Sequence, residues 1–205
     1  MGKIVDIYMP LDSREGPNRE VWPVARKQVS ELISVIKKCG WEAHALNPEK
    51  PITSVAEGLR VIQKSKGDRF IDFMGGWAYP DFSVTPMWQL PKDLPKLMIG
   101  SAIPDYPGCV GLFAAQSGTS HMGLACDRLF VENFEDHETY IDAIRSFLET
   151  GRYAPPYPET IDVDVADTHR ARARAVRERI KGSVYGAVGP RSMQMWNKIS
   201  EADFL

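Results

Sequence analysis

Cysteine is scarce in this chain: Cys39, Cys109 and Cys126 are the only three in 205 residues. They are odd in number and widely spaced, which excludes a disulfide framework and points to a reducing, cytoplasmic setting. No two form a CxxC pair, so the usual spacing of a zinc site is missing too. No apolar run reaches the length that spans a bilayer, and no membrane partner is expected. Neither sign of charge dominates. With 25 Lys and Arg against 27 Asp and Glu, no overall field attracts nucleic acid or a membrane surface. The opening "MGKIVDIYMP" lacks signal-peptide organisation, and Asp6 stands where a myristoylation signal carries Ser or Thr. Internal repeats and low-complexity tracts are also missing.

The remaining composition is that of an ordinary globular protein, 43% hydrophobic and 25% charged, at a length that supports one domain or one and a half. Strand-like and helix-like runs alternate. "KIVDIYM" predicts a strand and "PLDSREGPNRE" a polar loop. "VWPVARKQVSELISVIKKCG" then predicts a helix, with Val24, Val29, Leu32, Ile33 and Ile36 near helical spacing and Gly40 as its stop. "WEAHAL" reads as the second strand, and a second helix follows with its cap at Thr53 or Ser54. "RFIDFM", "KLMIGS" and "LACDRLFV" read as further strands. "PGCVGLFAAQSGTSHMG" predicts a buried helix, and "EDHETYIDAIRSFLETG" an amphipathic one with an acidic start. This order implies an α/β fold, a mostly parallel sheet with helices on both faces, Rossmann-like or flavodoxin-like, over residues 1–152. The proline-rich stretch beginning "RYAPPYPET" reads as a linker, 153–165. Residues 166–205 read as a linker helix and the start of a second α/β domain, "SVYGAVG" being its first strand. One strand cannot form a parallel sheet alone, so the expectation is a chain that breaks off inside a second domain, either as a fragment or with its missing partners supplied from elsewhere.

Two segments leave the carboxyl ends of predicted strands, where ligands of parallel sheets bind. The first carries Asp12, Ser13, Arg14 and Arg19; either Arg14 meets a ligand by its planar fork, or this is a solvated turn with arginine paired to Glu15 or Glu20. The second is "GGWAYPDFSVTPMWQLP", whose Trp77 and Tyr79 offer flat apolar faces with polar handles. It is a packing plug, a subunit face or the wall of a sugar pocket stiffened by prolines. The acids and His137 of "ENFEDHETY" lack the one-face spacing of metal ligands and read as an acidic helix start. Ser117 and His121 lack a nucleophile elbow. "GPRSMQM" after "SVYGAV" lacks the glycine spacing of a dinucleotide or phosphate loop. The arginines of "HRARARAVRERIKG" spread around a helix without interleaved aromatics, which reads as a solvated helix with no nucleic-acid partner.

In their order and character, "PLDSREGPNRE", "GGWAYPDFSVTP" and "YPGCVGLFAAQSGTSHMGLACDRLFVENFED" resemble the N-terminal region of the L-fucose isomerase and D-arabinose isomerase family. The resemblance implies a metal-dependent aldose–ketose isomerase acting on a monosaccharide through an enediol. It assigns substrate binding to Arg14, in "DSR" where the family has Asp-Gly-Arg, to Trp77, and to Tyr79 two residues on. The "PDFSV" continuation and a second tryptophan, Trp88, depart from the fucose enzyme's pattern. The family forms a homo-oligomer, a hexamer in which this domain completes a neighbour's pocket. Its cofactor is a divalent metal, usually Mn2+, held by Glu, Asp and His in later domains. The resemblance therefore implies no catalytic and no metal-binding residue in this chain, and a polypeptide inactive on its own. The alternative is a non-enzymatic α/β module that binds sugar or assembles with another chain.

Overall fold

The computed structural model describes residues 3–102, 105, 108–154 and 164–183. The elements run β1 (Ile4–Tyr8), α1 (Glu15–Lys38), β2 (Glu42–Ala45), α2 (Val55–Ile62), β3 (Arg69–Met74), α3 (Asp81–Met87), β4 (Lys96–Ser101), α4 (Gly108–His121), β5 (Asp127–Val131), α5 (Ile141–Thr150) and α6 (Asp167–Ile180). The five strands form one sheet in the order β2-β1-β3-β4-β5, and every neighbouring pair is parallel. Parallel pairing needs a crossover between successive strands, and each helix from α1 to α4 is one. This is the α/β architecture that the alternation of elements predicts.

Two cores follow from the two faces of the sheet. On one, Val29, Leu32 and Ile36 of α1 and Ile144, Phe147 and Leu148 of α5 pack on Val5, Ile7, Ile71, Phe73 and Ile99. On the other, Val61 and Ile62 of α2, Val84 and Met87 of α3 and Leu112 of α4 pack on Tyr8, Phe70, Met74 and Met98. The period-two alternation of β3 sends Ile71 and Phe73 to the first core and Phe70 and Met74 to the second. Both faces are covered, which is why β4 is buried along its whole length.

The ends of the elements follow local chemistry. Gly40 and Gly151 take φ of 76° and 77°, the left-handed conformation that ends a helix most cheaply at glycine. Ser54 caps α2, its Oγ accepting from Glu57 N, while the Glu57 carboxylate accepts from Thr53 N. Asp6, buried in β1, accepts from Lys66 N, Gly67 N and Ser65 Oγ and so holds the turn between α2 and β3.

The structure differs from the sequence expectation in three places. Helix α1 starts at Glu15, taking in part of the expected polar loop; Pro17 falls in the first turn, where its missing N–H would have no partner anyway. The aromatic stretch contains α3, starting after Pro80 with Asp81 in its first turn, so much of it is a helix. The acidic stretch "ENFEDHETY" lies ahead of α5, which begins at Ile141. The strand and turn expected from residue 184 onward lie outside the described residues.

Candidate binding crevice

Strand order determines where a ligand can sit. β1 and β3 are neighbours, yet the chain leaves β1 for α1 on one face and β3 for α3 on the other. Divergence of two adjacent loops opens a crevice at the carboxyl edge of the sheet. Arg14 lies on one of these loops, Trp77 and Tyr79 on the other.

The loop after β1 is held by a ladder of bonds. Met9 N donates to Asn47 Oδ1, Asn47 Nδ2 donates back to Met9 O, and Leu11 N donates to Ile52 O at 2.9 Å. Asn18 Nδ2, from α1, donates to Asp12 O at 2.7 Å. Asp12 is thereby buried, and its carboxylate accepts from Arg14 N at 2.9 Å, Arg14 Nε at 3.0 and 3.1 Å and Arg14 Nη2 at 2.5 Å. These hydrogen bonds hold the Asp12 carboxyl below its ordinary range in spite of burial, and the same pairing raises Arg14. The partner of Arg14 is Asp12, whereas Arg19 makes the exposed pair with Glu15 that the solvated-turn reading expects of an arginine here.

The loop after β3 is clamped between two helices, and glycine makes this possible. A Cβ on Gly75 would lie 2.5 Å from Ala25 Cβ of α1, and one on Gly108 of α4 only 2.0 Å from Met74 O. Ala78 is fully buried in the clamp, while Trp77 and Tyr79 on either side of it are half-buried. The Trp77 and Tyr79 rings meet edge-to-face at 6.0 Å, and Tyr79 meets Phe82 at 5.4 Å. Of the three residues singled out from sequence, Trp77 and Tyr79 are thus in contact, while Arg14 sits on the neighbouring loop after β1, where its partner is Asp12. The rest of the aromatic stretch divides: Phe82, Val84, Pro86 and Met87 fill the core, whereas Trp88 is exposed.

Beneath this rim, Gln28 Nε2 of α1 donates to Ser101 Oγ at the end of β4 across 3.2 Å, and both residues are buried. The sequence reading passed over Gln28. Its signal was a polar residue on the apolar stripe formed by Ala25, Val29 and Leu32.

The other candidates lie elsewhere. In the acidic stretch, Glu135 pairs with Lys27, and His137 bridges Lys38 Nζ and Glu31 Oε2, so the cluster clasps α1. An ammonium only donates, so His137 Nδ1 accepts from Lys38 and Nε2–H donates to Glu31. Among the described residues no group of three or more His, Cys, Asp or Glu could hold a metal ion. Ser117 and His121 lie in the last turns of α4, away from the crevice. All of α6 is exposed. A cavity of about 230 Å3 lined by Lys92, Lys96, Cys126 and Arg152 opens at the opposite edge of the sheet. Among the described residues no helix is long and apolar enough to cross a membrane.

The chain is thus an all-parallel α/β domain of flavodoxin-like strand order, with a guanidinium and two aromatic rings at its switch-point crevice. Residues 3–149, from β1 into α5, match the family model of the L-fucose isomerase first N-terminal domain, and the chain belongs to that family. This gives it the parentage of an isomerase of carbohydrate metabolism. No curated protein matches the chain.

Proposed function

We propose that the chain is the N-terminal part of a metal-dependent aldose–ketose isomerase, and that its crevice is one wall of the sugar pocket. The observation that supports this reading is the Trp77–Tyr79 ring pair at the end of β3, next to the β1 loop that carries Arg14, in a member of this family. Each group suits a monosaccharide: an aromatic ring covers the apolar C–H face of a pyranose, and a guanidinium donates to its hydroxyls. The crevice is open, with Arg14 exposed at its rim, which suits a pocket completed by a second subunit of a cytoplasmic homo-oligomer.

In this reading the divalent metal, such as Mn2+, and the groups that move the proton belong to other parts of the enzyme. This chain binds and orients the sugar and contributes no proton transfer. By itself it turns over neither L-fucose nor D-arabinose.

Trp77→Ala in the assembled enzyme tests the reading. Loss of the ring raises the dissociation constant for sugar by about two- to tenfold, since an aromatic contact contributes roughly 0.5–1.5 kcal/mol. Manganese affinity stays unchanged. Equal loss of sugar and metal binding would make the loop a structural plug. Ketose formed at enzymatic rates by the isolated chain with manganese would refute the division of labour.

A further inference from the structure

We infer that Asp12 is a positioning residue that fixes the Arg14 guanidinium in one orientation at the rim of the crevice. The inference rests on the reading that this crevice binds a sugar, and it concerns how the arginine is made ready for one. Three observations lead to it. The Asp12 carboxylate binds both ends of the same residue, the Arg14 main-chain N–H and the Nε–Nη2 edge of its side chain. The Asp12 side chain is 5% exposed and that of Arg14 is 67% exposed, so the anchor is buried while the group it holds faces solvent. Asp12 itself is tied down through its carbonyl to Asn18, and the loop before it through Leu11 to Ile52.

The geometry leaves Arg14 Nη1 and the outer N–H of Nη2 outside the Asp12 contact. These are parallel donors on one edge of a planar fork, the arrangement that meets two neighbouring hydroxyls. An unpaired surface arginine samples many rotamers, and ordering it on ligand binding costs affinity. Here that ordering is complete before the ligand arrives. A free guanidinium on the same loop would also be drawn to nearby carboxylates, and Asp12 prevents this by saturating the inner edge.

The experiment reads the orientation and the ligand response separately. In the wild-type chain the Arg14 Nε–H, identified by its disappearance in Arg14→Lys, is expected as a resolved, exchange-protected NMR signal that is lost in Asp12→Asn. L-fucose and D-arabinose are then titrated into the assembled, manganese-loaded enzyme, with the Trp77 indole N–H signal as the readout. Asp12→Asn should weaken binding about tenfold, the scale of freeing one rotamer-rich side chain. In the Arg14→Lys background the same substitution should have no further effect, because lysine cannot make the two-point contact. A wild-type Arg14 Nε–H that exchanges as freely as a solvated arginine overturns the inference. So do Asp12 and Arg14 substitutions whose effects on affinity simply multiply. A protected Nε–H in an assembled enzyme whose Trp77 signal responds to neither sugar overturns the sugar reading, and with it the role of the clamp in binding.

Discussion

Asp72 is the residue whose replacement has the best-defined consequence. It lies in the middle of β3, in register with Tyr8 on one side and Met98 on the other. Its side chain is fully buried on the face that α3 covers, and neither carboxylate oxygen has a hydrogen-bond partner. The Ser83 hydroxyl of α3 offsets this in part without closing a hydrogen bond. Asp6, by contrast, is buried with four partners. Burial pushes the Asp72 carboxyl from 3.8 up to about 7. A gap of about 3 units at roughly 1.36 kcal/mol each amounts to about 4 kcal/mol. The sign follows from proton binding. Between about pH 4 and pH 7 the folded chain holds a proton that the unfolded chain releases, so stability falls as pH rises through this window and levels off above it. Asp72→Asn keeps the shape and removes the titration. Urea unfolding followed by circular dichroism, at about pH 5 and about pH 8, measures the difference between variant and wild type. Other titrating groups cancel in that difference. The variant's relative stability should improve by about 3 kcal/mol from the lower to the higher pH. At about pH 8 it should exceed wild type by about 1–3 kcal/mol, after about 1–3 kcal/mol is set against the amide's own unmade hydrogen bonds. A difference that stays constant with pH would refute the reasoning.

Two further substitutions probe what holds the crevice in place. Tyr8→Phe removes the hydroxyl that donates to Phe82 O at 2.5 Å and leaves that buried carbonyl unpaired. The expected loss is about 1–3 kcal/mol, with amide exchange in Asp81–Met87 accelerated more than in Val55–Ile62. Gly108→Ala drives a methyl against the Met74 carbonyl, a backbone atom with no side chain to yield, and should cost about 2–4 kcal/mol. Wild-type stability in that variant would mean that α4 does not clamp the loop.

The sheet was legible from the chain because its signals are local. Period-two strands, the apolar stripe of α1, Ser54 before α2 and the glycines after α1 and α5 each act within one or two turns of backbone. Helix α3 was hidden by its aromatics and Pro86, which weaken a helical pattern. The signal that could have found it was topological: β3 and β4 are parallel, so the stretch between them had to cross a face of the sheet. The acidic stretch was harder. Its charges belong to Lys27, Lys38 and Glu31 of α1, and nothing near them in sequence reveals those partners.

The sequence by itself determined that the fold alternates strand and helix, that Arg14 and the Trp77–Tyr79 pair leave strand ends, and which family the motifs resemble. Only the tertiary structure decided that the loops carrying these groups leave neighbouring strands. Their loops meet because β3 inserts beside β1, away from β2, and that choice is made by side chains packing across distant segments. Tertiary packing also buried Asp12, while its bond to Arg14, two residues away, is local. The physical reason is range: propensity and capping act over a few residues, whereas a binding site is formed where the closure of long loops brings unrelated segments together.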